Sequence, residues 1–138
     1  IVSEVHSRGL SRQFRFLGFR TDIDALLAEA DIVIQPSVRE GLSIVLLEAM
    51  RQGKPIIAAA IGSTLEASNY GQAAELFESG NSKALAAAIY ELVNNKQRRD
   101  QLGDCAAKRF HEHYTEERMI RGYMELYHSV SKKRRPDC

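Results

Sequence analysis

A chain of 138 residues, 44% hydrophobic and 27% charged, has the size and make-up of one soluble globular domain and is smaller than most complete enzymes. Nineteen Lys and Arg stand against eighteen Asp and Glu, a net charge of +1. That balance argues against nucleic-acid binding as the main task, because such domains carry a basic excess. The apolar stretches are too short for a membrane-spanning helix, and no charged-then-apolar leader opens the chain.

Taken in chain order, four short apolar runs predict buried strands: Phe14–Leu17, Asp31–Gln35, Pro55–Ala60 and Ala73–Phe77. The second and third are near-continuous β-branched or small apolar residues, the pattern of parallel strands covered on both faces. Helices fall between them. One is predicted to start at Thr21–Asp24 with Thr21 as N-cap, turning Leu26, Leu27 and Ala30 inward. A second is predicted from Leu42 to Gln52, with Leu42, Val45, Leu46, Ala49 and Met50 on one face, until Gly53 stops it. Strand, helix, strand, helix, strand in this order predicts an α/β fold with a right-handed, doubly wound parallel sheet.

Beyond residue 80 the pattern is helical only. Asn81 or Ser82 caps a predicted helix striped by Leu85, Ala88, Ile89, Leu92 and Val93. Arg98–His113 follows with Leu102, Ala106 and Phe110, then Glu116–Val130 with Met119, Tyr123, Leu126, Tyr127 and Val130. These stripes are expected to be core. His111-Glu112-His113 lacks a third metal ligand and puts neighbouring side chains in different directions, so exposed or partly packed histidines are expected. Cys105, beside Ala106, is expected to be a small buried side chain. With only Cys105 and Cys138, no disulfide framework or zinc spacing is present, and a cytoplasmic setting is expected. Residues 131–138, which include Lys132-Lys133-Arg134-Arg135, are expected to be a disordered basic tail, with weak contact to anionic lipid at the inner membrane face as the alternative.

The segment from Ala30 to Gly53, ADIVIQPSVREGLSIVLLEAMRQG, carries the chemistry. Ligands of open α/β sheets bind outside the carboxyl ends of strands. Here a polar loop, Pro36–Gly41, leaves such an end and runs into a helix N-terminus, whose unpaired N–H groups and partial positive charge suit a phosphate. Glu40 and Glu48 flank this anion site. Eight residues of helix separate them by about 10 Å, too far to share a proton but suited to two ends of one extended ligand. Sugar hydroxyls, a diphosphate and ribose hydroxyls in succession have that layout.

Pro36-Ser37-x-x-Glu40-Gly41-x-Ser43-x-Val45-x-x-Glu48-Ala49-Met50-x-x-Gly53-x-Pro55 closely resembles the signature of retaining glycosyltransferases of the GT-B fold, the Glu-x7-Glu family of group 1 glycosyl transferases. Phe16-Leu17-Gly18-Phe19, Gly62-Ser63-Thr64-Leu65-Glu66 and the Tyr123–Tyr127 ending extend the resemblance across most of the chain. It implies a Rossmann-like parallel sheet flanked by helices, the later and incomplete part of a nucleotide-sugar donor-binding domain over 1–138. By the same resemblance Glu40, the catalytic candidate, would bond hydroxyls of the donor sugar. The N–H groups of Gly41, Leu42 and Ser43 would hold sugar and diphosphate, Glu48 the ribose, and Phe19 and Arg20 would lie near the base. No cofactor and no divalent metal are implied, because helix dipole, amides and basic side chains neutralise the leaving diphosphate. The parent would transfer a hexose from a UDP-, GDP- or ADP-linked donor to a hydroxyl acceptor, with retention.

Two departures from the pattern stand out. Ser63 replaces the second Gly of Gly-Gly-x-x-Glu, which restricts that turn if it needs positive φ. The chain also starts at Ile1, after the strand and helix units that open such a domain, and without the amino-terminal acceptor domain. It is therefore expected to be a piece of something longer and inactive alone. The rival reading is a non-catalytic nucleotide-binding or oligomerising module, since a sheet deprived of strands exposes an edge that pairs with another copy. A nucleotide-sugar epimerase of the same fold fits the Glu-Gly-x-Ser lead less well. Arg39 reads as an exposed surface residue, while Gly62 and Glu66 either touch ligand or only shape a turn and cap a helix.

Overall fold

At the centre of the protein lies the strand that the Pro55–Ala60 run predicts. In the computed structural model, which describes residues 1–133, this strand spans Ile56–Ala59 and all four residues are buried. It is β2 of a three-stranded, all-parallel sheet. Its neighbours are β1 (Val33–Gln35) and β3 (Glu75–Phe77), in the order β1-β2-β3. Val33 pairs with Ile56 and Gln35 with Ala58, while Ile57 pairs with Glu75 and Ala59 with Phe77.

Alternation along β2 divides the core in two. Ile56 and Ala58 join Leu27, Leu46, Ala49, Met50 and Ala106 on one face; Ile57 and Ala59 join Phe77, Ala88, Leu92 and Leu102 on the other. A strand covered on both faces needs apolar residues at every position, which explains the unbroken run in the sequence.

The helices are α1 (Val2–Ser7), α2 (Ile23–Glu29), α3 (Ile44–Arg51), α4 (Gly62–Ala67), α5 (Ser82–Asn94), α6 (Lys96–His113) and α7 (Glu116–Lys133). Side-chain caps fix several of their starts. Ser43 Oγ accepts the Leu46 N–H, Asn81 Oδ1 that of Ala84, and Asn95 Oδ1 that of Arg98. Helix α3 ends where Gly53 turns left-handed at φ +62, and α6 crosses directly over that turn. A Cβ on Gly103 would lie 2.2 Å from the Gly53 carbonyl oxygen, so only glycine permits this approach. The contact locks the register of α6 on α3.

Several expectations need correction. Phe14–Leu17 forms no strand: no sheet neighbour exists for it among the described residues, and Phe14, Phe16 and Leu17 stay about half exposed. Strand β1 is open on one face, where Ile34 is 41% exposed. The cap of α2 is Asp22, not Thr21, and Asp22 uses its carboxylate on Arg20 instead of the helix amides. Leu42, Val45 and Val93 face solvent rather than core, and Cys105 is exposed on the outer side of α6. Helix α6 begins two residues before Arg98 because Asn95 caps it. Gly62–Ala67, which resembled a loop, is helical, and no positive φ is required at Ser63.

The largest departure is α7. Met119, Tyr123, Leu126, Tyr127 and Val130 fall on the predicted helix, yet each is 46% exposed or more. Helical spacing fixes which residues share a face, but among the described residues no element covers that face of α7. Residues 131–133 extend this helix, and the rest of the expected basic tail lies outside the described residues. No described helix is long and apolar enough to cross a membrane.

Candidate functional site

The carboxyl ends of β1 and β2 open onto one cleft. Val38, Arg39, Glu40 and Gly41 from the loop after β1 form one wall, and Ile61 and Gly62 at the start of α4 form the other. Its volume is about 600 Å³. Both walls follow strands that end together in the ladder, so sheet register sets their separation.

Glu40 sits at the tip of its loop with an exposed side chain. Two serine hydroxyls hold it from different directions. Ser37 Oγ donates to Oε1 at 3.0 Å, and Ser63 Oγ, from the first turn of α4, donates to the Glu40 carbonyl oxygen at 3.2 Å. The carboxylate therefore keeps one oxygen free as an acceptor for hydroxyl groups. Gly41 follows, and a Cβ built there meets nothing within 4 Å. Its lack of a side chain thus leaves open space for whatever enters the cleft.

Helix α3 starts at Ile44, two residues later than the sequence suggests. With Ser43 as N-cap, the Leu46 N–H is occupied by the serine hydroxyl. The N–H groups of Gly41 through Val45 have no hydrogen-bond partner among the described residues. They form a run of donors at the positive end of the helix dipole. Sequence reasoning placed the donors at Gly41, Leu42 and Ser43 and missed Ile44 and Val45. The Ser cap three residues before Leu46 was the signal, read as part of the helix rather than as its boundary. Ser43 itself is buried, its hydroxyl committed to the cap.

The remaining site candidates lie apart from this cleft. Glu48 is half-buried in the second turn of α3 and makes no side-chain hydrogen bond among the described residues. Phe19 is 93% exposed, and Arg20 forms a two-pronged pair with Asp22, Nε to Oδ1 at 2.7 Å and Nη2 to Oδ2 at 2.5 Å. That guanidinium holds the Asp22 carboxyl below the usual carboxylate range, and Asp22 raises the Arg20 pKa in turn. Neither Phe19 nor Arg20 shares a cavity or a hydrogen bond with the Glu40 loop among the described residues.

One residue went unremarked in the sequence. Gln35 closes β1 immediately before the loop, is buried, and leaves its Oε1 without a partner among the described residues. An orphaned buried acceptor costs about 1–3 kcal/mol, so it is tolerated only where something offsets it. A lone amide ending an otherwise apolar strand was the available sign.

Elsewhere, His111 and His113 are exposed at the end of α6, His111 edge-on to Phe110 with ring centroids 5.6 Å apart. Glu66 is exposed on α4 and borders a smaller recess of about 270 Å³ with Gly41, Leu42, Ser63, Ala67 and Tyr114.

Comparison with known proteins shows the family and the fold. The family described as glycosyl transferases group 1 matches residues 1–109. N-acetyl-alpha-D-glucosaminyl L-malate synthase of Bacillus anthracis is 29% identical over 130 residues, covering 94% of this chain and 34% of that protein. HepE of Anabaena, solved in complex with UDP, superposes with a TM-score of 0.82 at 29% identity, covering 95% of this chain and 36% of HepE. Sucrose-phosphate synthase of Thermosynechococcus elongatus reaches a TM-score of 0.89 at 22% identity over 96% of this chain and 34% of its own, a likeness of fold. The chain thus spans about a third of the length of the relatives it matches.

Proposed function

The chain belongs to the glycosyl transferases group 1 family, and from that premise we propose that it forms the donor side of a retaining hexosyltransferase. The protein containing it would move a hexose from a nucleoside diphosphate sugar to a hydroxyl acceptor. The observation that carries this reading is Glu40 and Gly41 on one wall of the cleft, with Gly41 opening a run of amides to Val45 that have no hydrogen-bond partner among the described residues.

The division of labour follows from chemistry. The free carboxylate oxygen of Glu40 accepts hydrogen bonds from hydroxyls of the donor sugar, which fixes the ring over the amides. Those amides and the dipole of α3 hold the diphosphate and stabilise the charge that grows on it as the glycosidic bond breaks. Fixed dipoles of this kind do the work a divalent cation does elsewhere, so the reaction proceeds without metal or cofactor. Glu48, one helix face further on, takes the ribose hydroxyls, while Phe19 and Arg20 approach the base. HepE was solved with UDP, with UDP and glucose, and with UDP-glucose, which supports a nucleotide sugar as the ligand of this cleft as well. Acceptor binding falls to the two-thirds of the relatives' length that this chain does not span.

Glu48→Ala should weaken nucleotide binding about tenfold or more, the worth of hydrogen bonds to a charged group. Glu40→Ala should leave affinity for the free nucleoside diphosphate nearly unchanged and lower affinity for the sugar-linked form. Calorimetry with UDP, GDP and ADP, free and sugar-linked, separates the two effects. Wild-type affinity for every ligand in both variants would end the assignment.

A further inference from the structure

Ser63 stands where the Gly-Gly-x-x-Glu pattern that this segment resembles has its second glycine, and the structure gives its hydroxyl a task no glycine could perform. We propose that Ser63 is a positioning residue that fixes and polarises the Glu40–Gly41 peptide of the donor site, an inference that rests on the function proposed above.

Its hydroxyl donates to the Glu40 carbonyl oxygen at 3.2 Å across 23 residues of sequence. Among the described residues this is the sole hydrogen bond tying residues 37–42 to any part of the chain outside that loop, since Ser37 bonds within it. The anchor on the other side is firm. Thr64, next to Ser63 and buried, donates its hydroxyl to the Ala59 carbonyl at the end of β2 and accepts the Ile61 N–H at 3.1 Å. At the far end of α4, the Arg109 guanidinium donates to the carbonyls of Glu66 and Ala67 at 2.7 and 2.5 Å and lies 5.9 Å from the Tyr114 ring centroid. A short helix held at both ends thus presents Ser63 to a loop with no other hold.

The consequence follows from peptide geometry. The Glu40 carbonyl and the Gly41 N–H belong to one planar trans unit and point in opposite directions. Drawing the carbonyl toward Ser63 therefore fixes the direction in which the Gly41 N–H points. Hydrogen bonding at the carbonyl also draws electron density from the nitrogen and strengthens the N–H as a donor. Gly41 lines both the cleft and the recess that Ser63 borders. Its N–H is the first of the unpartnered amides. A glycine at this position would leave the peptide without this hydrogen bond; the serine sets it before ligand arrives.

The test compares Ser63→Ala, Ser63→Gly and Ser63→Thr in the 138-residue chain, labelled for NMR. Loss of the hydroxyl should move the Gly41 amide proton and the Glu40 carbonyl carbon upfield in the Ala and Gly variants, while Thr keeps the wild-type positions. Titration with UDP-glucose should then show about three- to tenfold weaker binding for Ala and Gly, the worth of one neutral hydrogen bond, and near wild-type binding for Thr. Unchanged Glu40 and Gly41 resonances in Ser63→Ala would overturn the proposal, as would altered shifts without any loss of affinity. A wild-type chain that binds no nucleotide sugar would overturn the donor-site reading instead, and the hold of Ser63 on the peptide would still be decided by the shifts.

Discussion

The sheet with α3, α5 and α6 and the two segments Phe14–Leu17 and α7 all carry apolar patterns, with opposite fates. Ile56 and Ile57 are 0% exposed, and Leu92 and Leu102 no more than 1%, whereas Tyr123, Leu126 and Phe16 are about half exposed. The difference lies in what surrounds each segment. Strand β2 is flanked by two strands and covered by helices on both faces; Phe14–Leu17 and α7 have no such neighbours among the described residues. An amphipathic pattern states that a face is meant to be covered, and it does not state by what.

This contrast can be broken most forcefully in the interior. Gly103→Ala should cost about 3 kcal/mol, because the added methyl meets a backbone carbonyl that cannot swing aside, and thermal unfolding should show it as a Tm lowered by several degrees. A Tm within a degree of wild type would mean that α6 slides freely over the Gly53 turn.

On α7, the paired change Tyr123→Ser and Leu126→Ser should leave Tm nearly unchanged, since both side chains are about half exposed and Tyr123 stacks on Tyr127 of its own helix. Unpaired apolar surface of this kind drives association, so the wild-type chain should self-associate with concentration in light scattering and the variant should do so less. A large drop in Tm would show instead that α7 packs on its own chain.

The smallest effect belongs to the Arg20–Asp22 pair. Arg20 holds the Asp22 carboxyl below its usual range, so the pair's contribution is present above the ordinary carboxylate pKa of about 3.9 and is lost as pH falls through the lower folded value. Both partners are solvent-exposed, and screening keeps the contribution slight. Carboxyl-carbon NMR should find Asp22 titrating lower than a free aspartate, and Arg20→Ala should return it to the usual range.

The legible part of the fold is the part that local rules decide. The run Pro55–Ala60 could only be a strand covered on both faces, Gly53 could only end α3, and Asn81 caps α5 as its position suggests. Where a second segment casts the deciding vote, sequence alone fell short. Thr21 lost the cap of α2 to Asp22, and Cys105 turned outward because Leu102 and Ala106 take the inward face of α6. The site divides the same way. Glu40, Gly41 and the start of α3 were readable because loop and helix adjoin in sequence. The Ser63 tether to Glu40 and the orphaned amide of Gln35 were not, because each depends on what meets it across the sheet.

Strand order in space repeats strand order in the chain. Paired residues are therefore close in sequence, Val33 with Ile56 and Ile57 with Glu75, separations of 23 and 18. Each closure joins short loops, whose entropy cost is modest. During synthesis, with the amino-terminal part emerging first, β1 is already outside the ribosome when β2 appears, and β2 when β3 appears. The sheet can grow in one direction, each new strand meeting a waiting partner, so that assembly keeps pace with translation.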